Sequence, residues 1–180
     1  AALKFNRMDE SAQFNDLYDA LKQNFRRLVT LDEETESFNE HYEGWKILFS
    51  SVAGSSEDEQ TVKLLQYIAE EAGFHTAFAY VDEVVFNDEE GVFFDGENYE
   101  YWFKLVPWED IAVEEGELAI ILKNIVQNQK AIILNPAYTL LFQSKGILKI
   151  LWDLYPNHPL LLQASDKPIA GKKCVKKPVF

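Results

Sequence analysis

The sequence predicts an α/β protein, a mixed sheet with flanking helices. Three observations carry that expectation. A strand–helix–strand pattern runs from Trp45 to Val81, and such units normally demand parallel strands joined by a right-handed crossover. Short aromatic runs separated by Asn/Asp/Gly turns come next. Apolar stripes of helical period lie on either side of both.

The elements follow in order. Residues 13 to 28 set Phe14, Leu17, Tyr18, Leu21, Phe25 and Leu28 at helical spacing. The acidic run Asp32-Glu33-Glu34-Thr35-Glu36 reads as a solvated connection. Trp45 to Val52 is an apolar run ending in Ala-Gly-Ser-Ser, as a buried strand feeding a loop would be. Ser56 followed by Glu59 has the spacing of a capping box, whose side chains satisfy open amides at a helix start. Val62, Leu65, Ile68, Ala69 and Ala72 mark the buried face of that helix, and Gly73 closes it. Thr76 to Val81 supplies a second strand. Val84–Phe86, Val92–Phe94 and Tyr101–Leu105 are separated by turn residues, including Asp95-Gly96-Glu97-Asn98, and predict at least one antiparallel hairpin. A helix over 117–127, a strand over 131–134 and a helix over 145–154 stopped by Pro156 complete the order. Cys174 begins a terminal strand and reads as a small buried apolar residue.

Composition narrows the function classes. The chain has 180 residues, 47% of them hydrophobic, enough for a real core. Thirty acidic residues against 17 basic give a formal charge of −13. Such a surface repels phosphate backbones and anionic lipid, so neither nucleic acid nor membrane is an expected partner. Seven lysines nevertheless fall among the last 36 residues. The single cysteine excludes an internal disulfide and a cysteine metal cluster. No apolar run approaches a membrane span, and no cleaved signal is evident, so a cytoplasmic location is expected.

Four short motifs near the end occur in a telling order: Asn135-Pro136-Ala137-Tyr138, Ser144-Lys145-Gly146, Leu151-Trp152-Asp153-Leu154-Tyr155-Pro156-Asn157-His158 and Val175-Lys176-Lys177-Pro178. They resemble the Pro-Ala-Trp/Tyr turn, the helix-opening Asn/Ser-Lys, the Leu-Trp-x-Leu-Phe/Tyr-Pro-x-His run and the Val-x-Lys-Pro of the glutathionylspermidine synthetase family. The resemblance extends from Gln13 to Phe180. It implies an N-terminal helical segment and acidic linker over 1–44. A Rossmann-like substrate-side subdomain would occupy 45–135, and the first elements of an ATP-grasp lobe 136–180.

By that resemblance Lys145 and Lys177 contact ATP, where point charges offset repulsion between phosphate oxygens. Glu57 and Asp58 match the family's acidic pair on the substrate side, where carboxylates attract an ammonium. The plainer readings are a solvated Lys145 and acids that simply compensate a helix dipole. Asp166-Lys167-Pro168 is a rival match for the second lysine. In Lys104-Leu105-Val106-Pro107-Trp108-Glu109, Leu105 stands where glutathione-linked members have a hydroxyl-bearing Thr. This form is closer to an uncharacterised bacterial branch, and Trp108 reads as a core or interface aromatic. His41, His75 and His158 lack metal-ligand spacing, and His158 is read as structural.

The family's Mg²⁺ motifs lie outside these residues. The expectation is therefore a fragment of an ATP-dependent carboxylate–amine ligase, inactive alone, acting on a peptide carboxylate and an amine or polyamine. The alternative is a non-catalytic α/β ligand-binding or assembly module.

Overall fold

The computed structural model describes residues 16–28 and 45–178. The acidic run at 32–36, His41 and Phe14 lie outside them. The chain divides into two compact units, Ala1–Asn135 and Pro136–Phe180.

In the first unit the described elements are α1 (Leu17–Arg27), β1 (Lys46–Ser51), α2 (Ser56–Glu71), β2 (His75–Tyr80), β3 (Val85–Asn87), β4 (Gly91–Phe94), β5 (Glu97–Tyr99), β6 (Tyr101–Leu105), α3 (Trp108–Glu114), α4 (Gly116–Gln127) and β7 (Ile132–Ile133). Strands β2-β1-β6-β7 form one sheet in that order, with every neighbouring pair parallel. Strands β3-β4-β5 form a separate antiparallel sheet. The mixed α/β architecture is the one the sequence predicts.

Strand β1 is the centre of the parallel sheet, and all five residues from Ile47 to Ser51 are buried. Its alternation splits the core in two, because successive side chains leave a strand on opposite faces. Ile47 and Phe49 join Phe25, Val62, Ile68, Ala69 and Phe74 under α1 and α2. Leu48 joins Trp102, Ile111, Leu122 and Ile125 with α3, α4 and the small sheet. Aromatic contacts fix the first layer, with Phe25 edge-on to Phe49 at 6.1 Å and to Phe74 at 6.3 Å between ring centroids.

The predicted helix cap needs correction. The cap of α2 is Ser55, one residue before the predicted Ser56, and its hydroxyl accepts from the Asp58 amide at 3.4 Å. Glu59 is thereby free to bond Lys63 and Tyr80 instead. The helix does end at Gly73, at φ +105°, where Phe74 N donates to Ala69 O and Gly73 N to Glu70 O. That pair of bonds satisfies carbonyls a helix end leaves open.

The predicted antiparallel hairpin is present, in the small sheet. Asp95 and Gly96, both at positive φ, turn β4 back onto the short β5 rather than onto Tyr101–Leu105. Two residues with positive φ give the tight turn whose twist matches its strands. The chain then leaves the small sheet, and β6 enters the large one parallel to β1. Helix α3 fills a stretch where no element was predicted.

The second unit contains a 3₁₀ turn (Ala137–Thr139), α5 (Leu140–Gln143) and α6 (Ile147–Leu154). Residues 172–178 form no strand. A strand exists only against a ladder partner, and no described segment supplies one. Cys174 is exposed rather than buried, its Sγ 3.4 Å from Lys172 O. His158 serves a local turn, its Nδ1 accepting from Leu160 N at 3.2 Å. No helix among the described residues is long and apolar enough to cross a membrane.

Gly91 opens β4 at φ +120°, and a Cβ there would meet Lys130 O at 3.0 Å and Asn98 Nδ2 at 3.1 Å. Gly91→Ala should destabilise the protein by ~1–3 kcal/mol, the usual range for forced backbone strain. A urea unfolding midpoint that falls accordingly, with its slope unchanged, checks this.

Candidate functional site at the carboxyl edge of the parallel sheet

Because the large sheet is wholly parallel, its strands end together. Ser51, Tyr80, Leu105 and the Leu134-Asn135 segment therefore share one edge. Ligands of open α/β sheets bind outside such an edge, where strand order reverses. Here the chain runs from β1 to β2 on one side, then returns to place β6 on the other. The reversal falls between β1 and β6, where Ser51 and Leu105 are register partners.

Ser50 and Ser51 are both fully buried, yet differ in one respect. Ser50 Oγ accepts from Trp102 Nε1 at 3.0 Å. Ser51 Oγ has no partner among the described residues. A buried hydroxyl without a bond is uncommon in folded proteins, and it sits where a ligand would be bound.

The start of α2 brings three acids to this edge. Glu59 is already engaged, ion-paired to Lys63 and accepting from Tyr80 Oη at 3.0 Å. The hydrogen bond from Lys63, then that from Tyr80, holds its carboxyl below the usual range. The Glu59 carboxylate in turn raises the Tyr80 phenol, with burial adding to the effect. Glu57 is exposed and Asp58 half-buried. No described side chain pairs with either carboxylate, so both remain available at the helix's positive end.

Across β6 lies a residue the sequence reading passed over. Lys104 is completely buried. Its Nζ donates to Val106 O at 2.6 Å and lies 4.0 Å from the centroid of the Trp108 ring. Trp108 Nε1 donates to Asn135 O at 2.7 Å. The Asn135 side chain closes the circuit, its Nδ2 donating to Lys104 O and its Oδ1 accepting from Lys104 N at 3.4 Å. Trp108 is half-buried against the core, within the core-or-interface reading of the sequence. Burial lowers the Lys104 pKa to about 8, and the Glu109 carboxylate opposes the shift.

The signal was legible. Lys104 alternates in phase with Trp102, so the period of two that buries the indole also buries the lysine.

Lys145 and Lys177 belong to a different unit from Glu57 and Asp58. Both lysines belong to the second unit and both are exposed. Lys145 sits in the turn before α6, its Nζ 3.3 Å from Gln143 O. Lys177 lies in the irregular 172–178 segment and forms no ion pair among the described residues. Two solvated ammonium groups without carboxylate partners suit a polyphosphate as point charges. No group of three or more His, Cys, Asp or Glu able to hold a metal occurs among the described residues, so they do not fit a metal site.

A parallel sheet with helices over both faces gives this unit a Rossmann-like α/β architecture. Its family follows from sequence. The pattern of the glutathionylspermidine synthase preATP-grasp family matches residues 1–180, and the chain belongs to that family. It is also 29% identical over 174 residues to a Haemophilus influenzae protein described as a "Putative acid--amine ligase", covering 93% of this chain and 40% of that relative. The chain therefore spans well under half the length of this curated relative.

The two neighbouring serines should behave oppositely. Ser50→Ala leaves the Trp102 indole N–H buried and unbonded and should cost ~1–3 kcal/mol. Ser51→Ala removes an unpaired polar atom and should be neutral or stabilising by ~1 kcal/mol. Chemical denaturation of the two variants side by side measures the difference.

Proposed function

We propose that the chain is the substrate-side part of an ATP-dependent ligase that joins a carboxylate to an amine. The observation that carries this reading is the preATP-grasp family match over residues 1–180. The acid–amine ligase name of the Haemophilus influenzae relative supports it. So does an edge bearing two unengaged carboxylates and one unpartnered hydroxyl.

Each residue then has a task. Glu57 and Asp58 hold the ammonium of the amine substrate by charge-assisted hydrogen bonds. The Ser51 hydroxyl is an unpartnered hydrogen-bonding group where its register partner Leu105 offers none, and a carboxylate reaches it only when the edge opens. Lys145 and Lys177 offset charge on the phosphates of ATP. ATP, when bound, supplies the activation that turns a carboxylate into an acyl donor. Mg²⁺ would be held by residues other than those described, and the 180 residues alone should bind ATP weakly and turn nothing over. The carboxylate is a peptide-like acid and the amine a polyamine or simple amine. A cytoplasmic setting suits such substrates.

In the full-length protein, amide formation and phosphate release should require ATP, an acid and an amine together. Glu57→Gln and Asp58→Asn should raise the KM for the amine about tenfold, the loss of a charge-assisted contact, with the KM for ATP unchanged. Lys145→Ala and Lys177→Ala should show the reverse split. Nucleotide turnover indifferent to every acid–amine pair, or absent, would favour a non-catalytic binding module.

A further inference from the structure

We infer that Lys104 is a positioning residue, tying the end of β6 to α3 and to the end of β7 so that the crevice between β1 and β6 keeps its shape. This rests on the reading of that edge as the substrate site.

Three elements meet in a closed ring of contacts. Lys104 of β6 bonds the carbonyl of Val106 and lies against the face of Trp108, the first residue of α3. The indole of Trp108 bonds the carbonyl of Asn135, directly after β7. The Asn135 amide returns to both backbone groups of Lys104. Every link is short-range and directional, so a shift at one member displaces the other two.

Stability alone does not call for a lysine here. Removing an ammonium from water costs several kcal/mol, and an apolar side chain of similar volume commonly does as well or better. The usual compensation, a carboxylate at ion-pair distance, is missing among the described residues. The partners are instead a carbonyl and an indole face, both belonging to the turn that follows β6. A cation whose contacts are all with its own turn and that turn's anchor acts on geometry. That turn, Val106-Pro107, flanks the crevice opposite the Val52–Ser55 loop.

The ring also carries a titratable element. Glu109 of α3 is the charged group whose field reaches Lys104, favouring the ammonium. Alongside, β1 contributes Ser50 and the end of β7 contributes Asn135, neither of which ionises. With the folded pKa at about 8 and the ordinary value at 10.5, both folded and unfolded chains hold the proton below pH 8. Between those values only the unfolded chain holds it, so this group adds stability as pH rises through that window. The cation–π contact with Trp108 is lost as the folded lysine titrates, around pH 8.

The test uses the full-length protein with ¹⁵N-labelled tryptophan. The Trp108 indole N–H resonance should titrate with a midpoint near pH 8 in the wild type and show no such midpoint in Lys104→Met. In the same variant kcat should fall at least about tenfold, as expected of a displaced site, with the KM for ATP unchanged. Should Lys104→Met fail to fold, the wild-type titration and Asn135→Ala, which cuts the ring at its other end, decide in its place. A Trp108 signal flat from pH 7 to 10, or wild-type kcat in a folded Lys104→Met, overturns the inference. If no ligase turnover exists, the Trp108 titration still decides the role of Lys104, and the ligase reading falls by itself.

Discussion

Strand β1 has a parallel neighbour on each edge and helices over both faces, so each of its amides must pair and each of its side chains must pack. That constraint sets much of what surrounds it. An apolar run buried on two sides tolerates no slip, because a shift of one residue would exchange the two core layers. Holding β1 in register with β2 and β6 aligns the carboxyl ends of all three strands. It also leaves the start of α2 beside that edge, with its cap on Ser55 and its free acids at Glu57 and Asp58. The candidate site residues lie in short loops and a helix start, and the central strand sets their placement.

The parts of the fold legible in sequence are those with a strong period. The Trp45–Val52 run, the stripe of α2 and the helix over 117–127 each presented several matched positions, and each appears within a residue or two. The difficulties arose where one residue decides between neighbours. Two adjacent serines stand at the start of α2, and acids lie three residues after each, so the spacing alone could not choose Ser55 over Ser56. The Asp95-Gly96 turn was visible, but its partner strand was not. Glu97–Tyr99 has only three residues and no alternating pattern, and it hides before the more apolar Tyr101–Leu105 run. The Cys174–Lys177 segment reads as a strand only if a partner exists, which no local pattern can state.

At the site the division is similar. Glu57 and Asp58 were visible as first-turn acids, and their sequence neighbour Glu59 looked the same. One local and one tertiary contact separate them. Lys63, one turn along α2, and Tyr80 from β2 converge on Glu59 and leave the other two open. Charge balance along the chain tells a matching story. Residues 145–180 hold seven lysines against two aspartates, whereas the whole chain carries −13. Cations are thus concentrated in the second unit and free carboxylates at the first unit's edge, the distribution wanted if one part receives phosphate and the other an ammonium.

Three lysines show why residue type alone does not assign a role. Lys145 and Lys177 are exposed, keep most of their hydration, and can exchange water for a phosphate oxygen at little cost. Lys104 has already lost its water, so an incoming anion gains nothing from it unless the ring with Trp108 and Asn135 opens. A desolvated ammonium bonded to the next turn's carbonyl is committed to shape, and the same burial lowers its pKa. The solvated pair keeps its charge in water, and the buried lysine spends its contacts on the turn after β6. The motif order pointed to the first two. The third followed from the strand's period of two, which places Lys104 on the same face as Trp102, beneath α3.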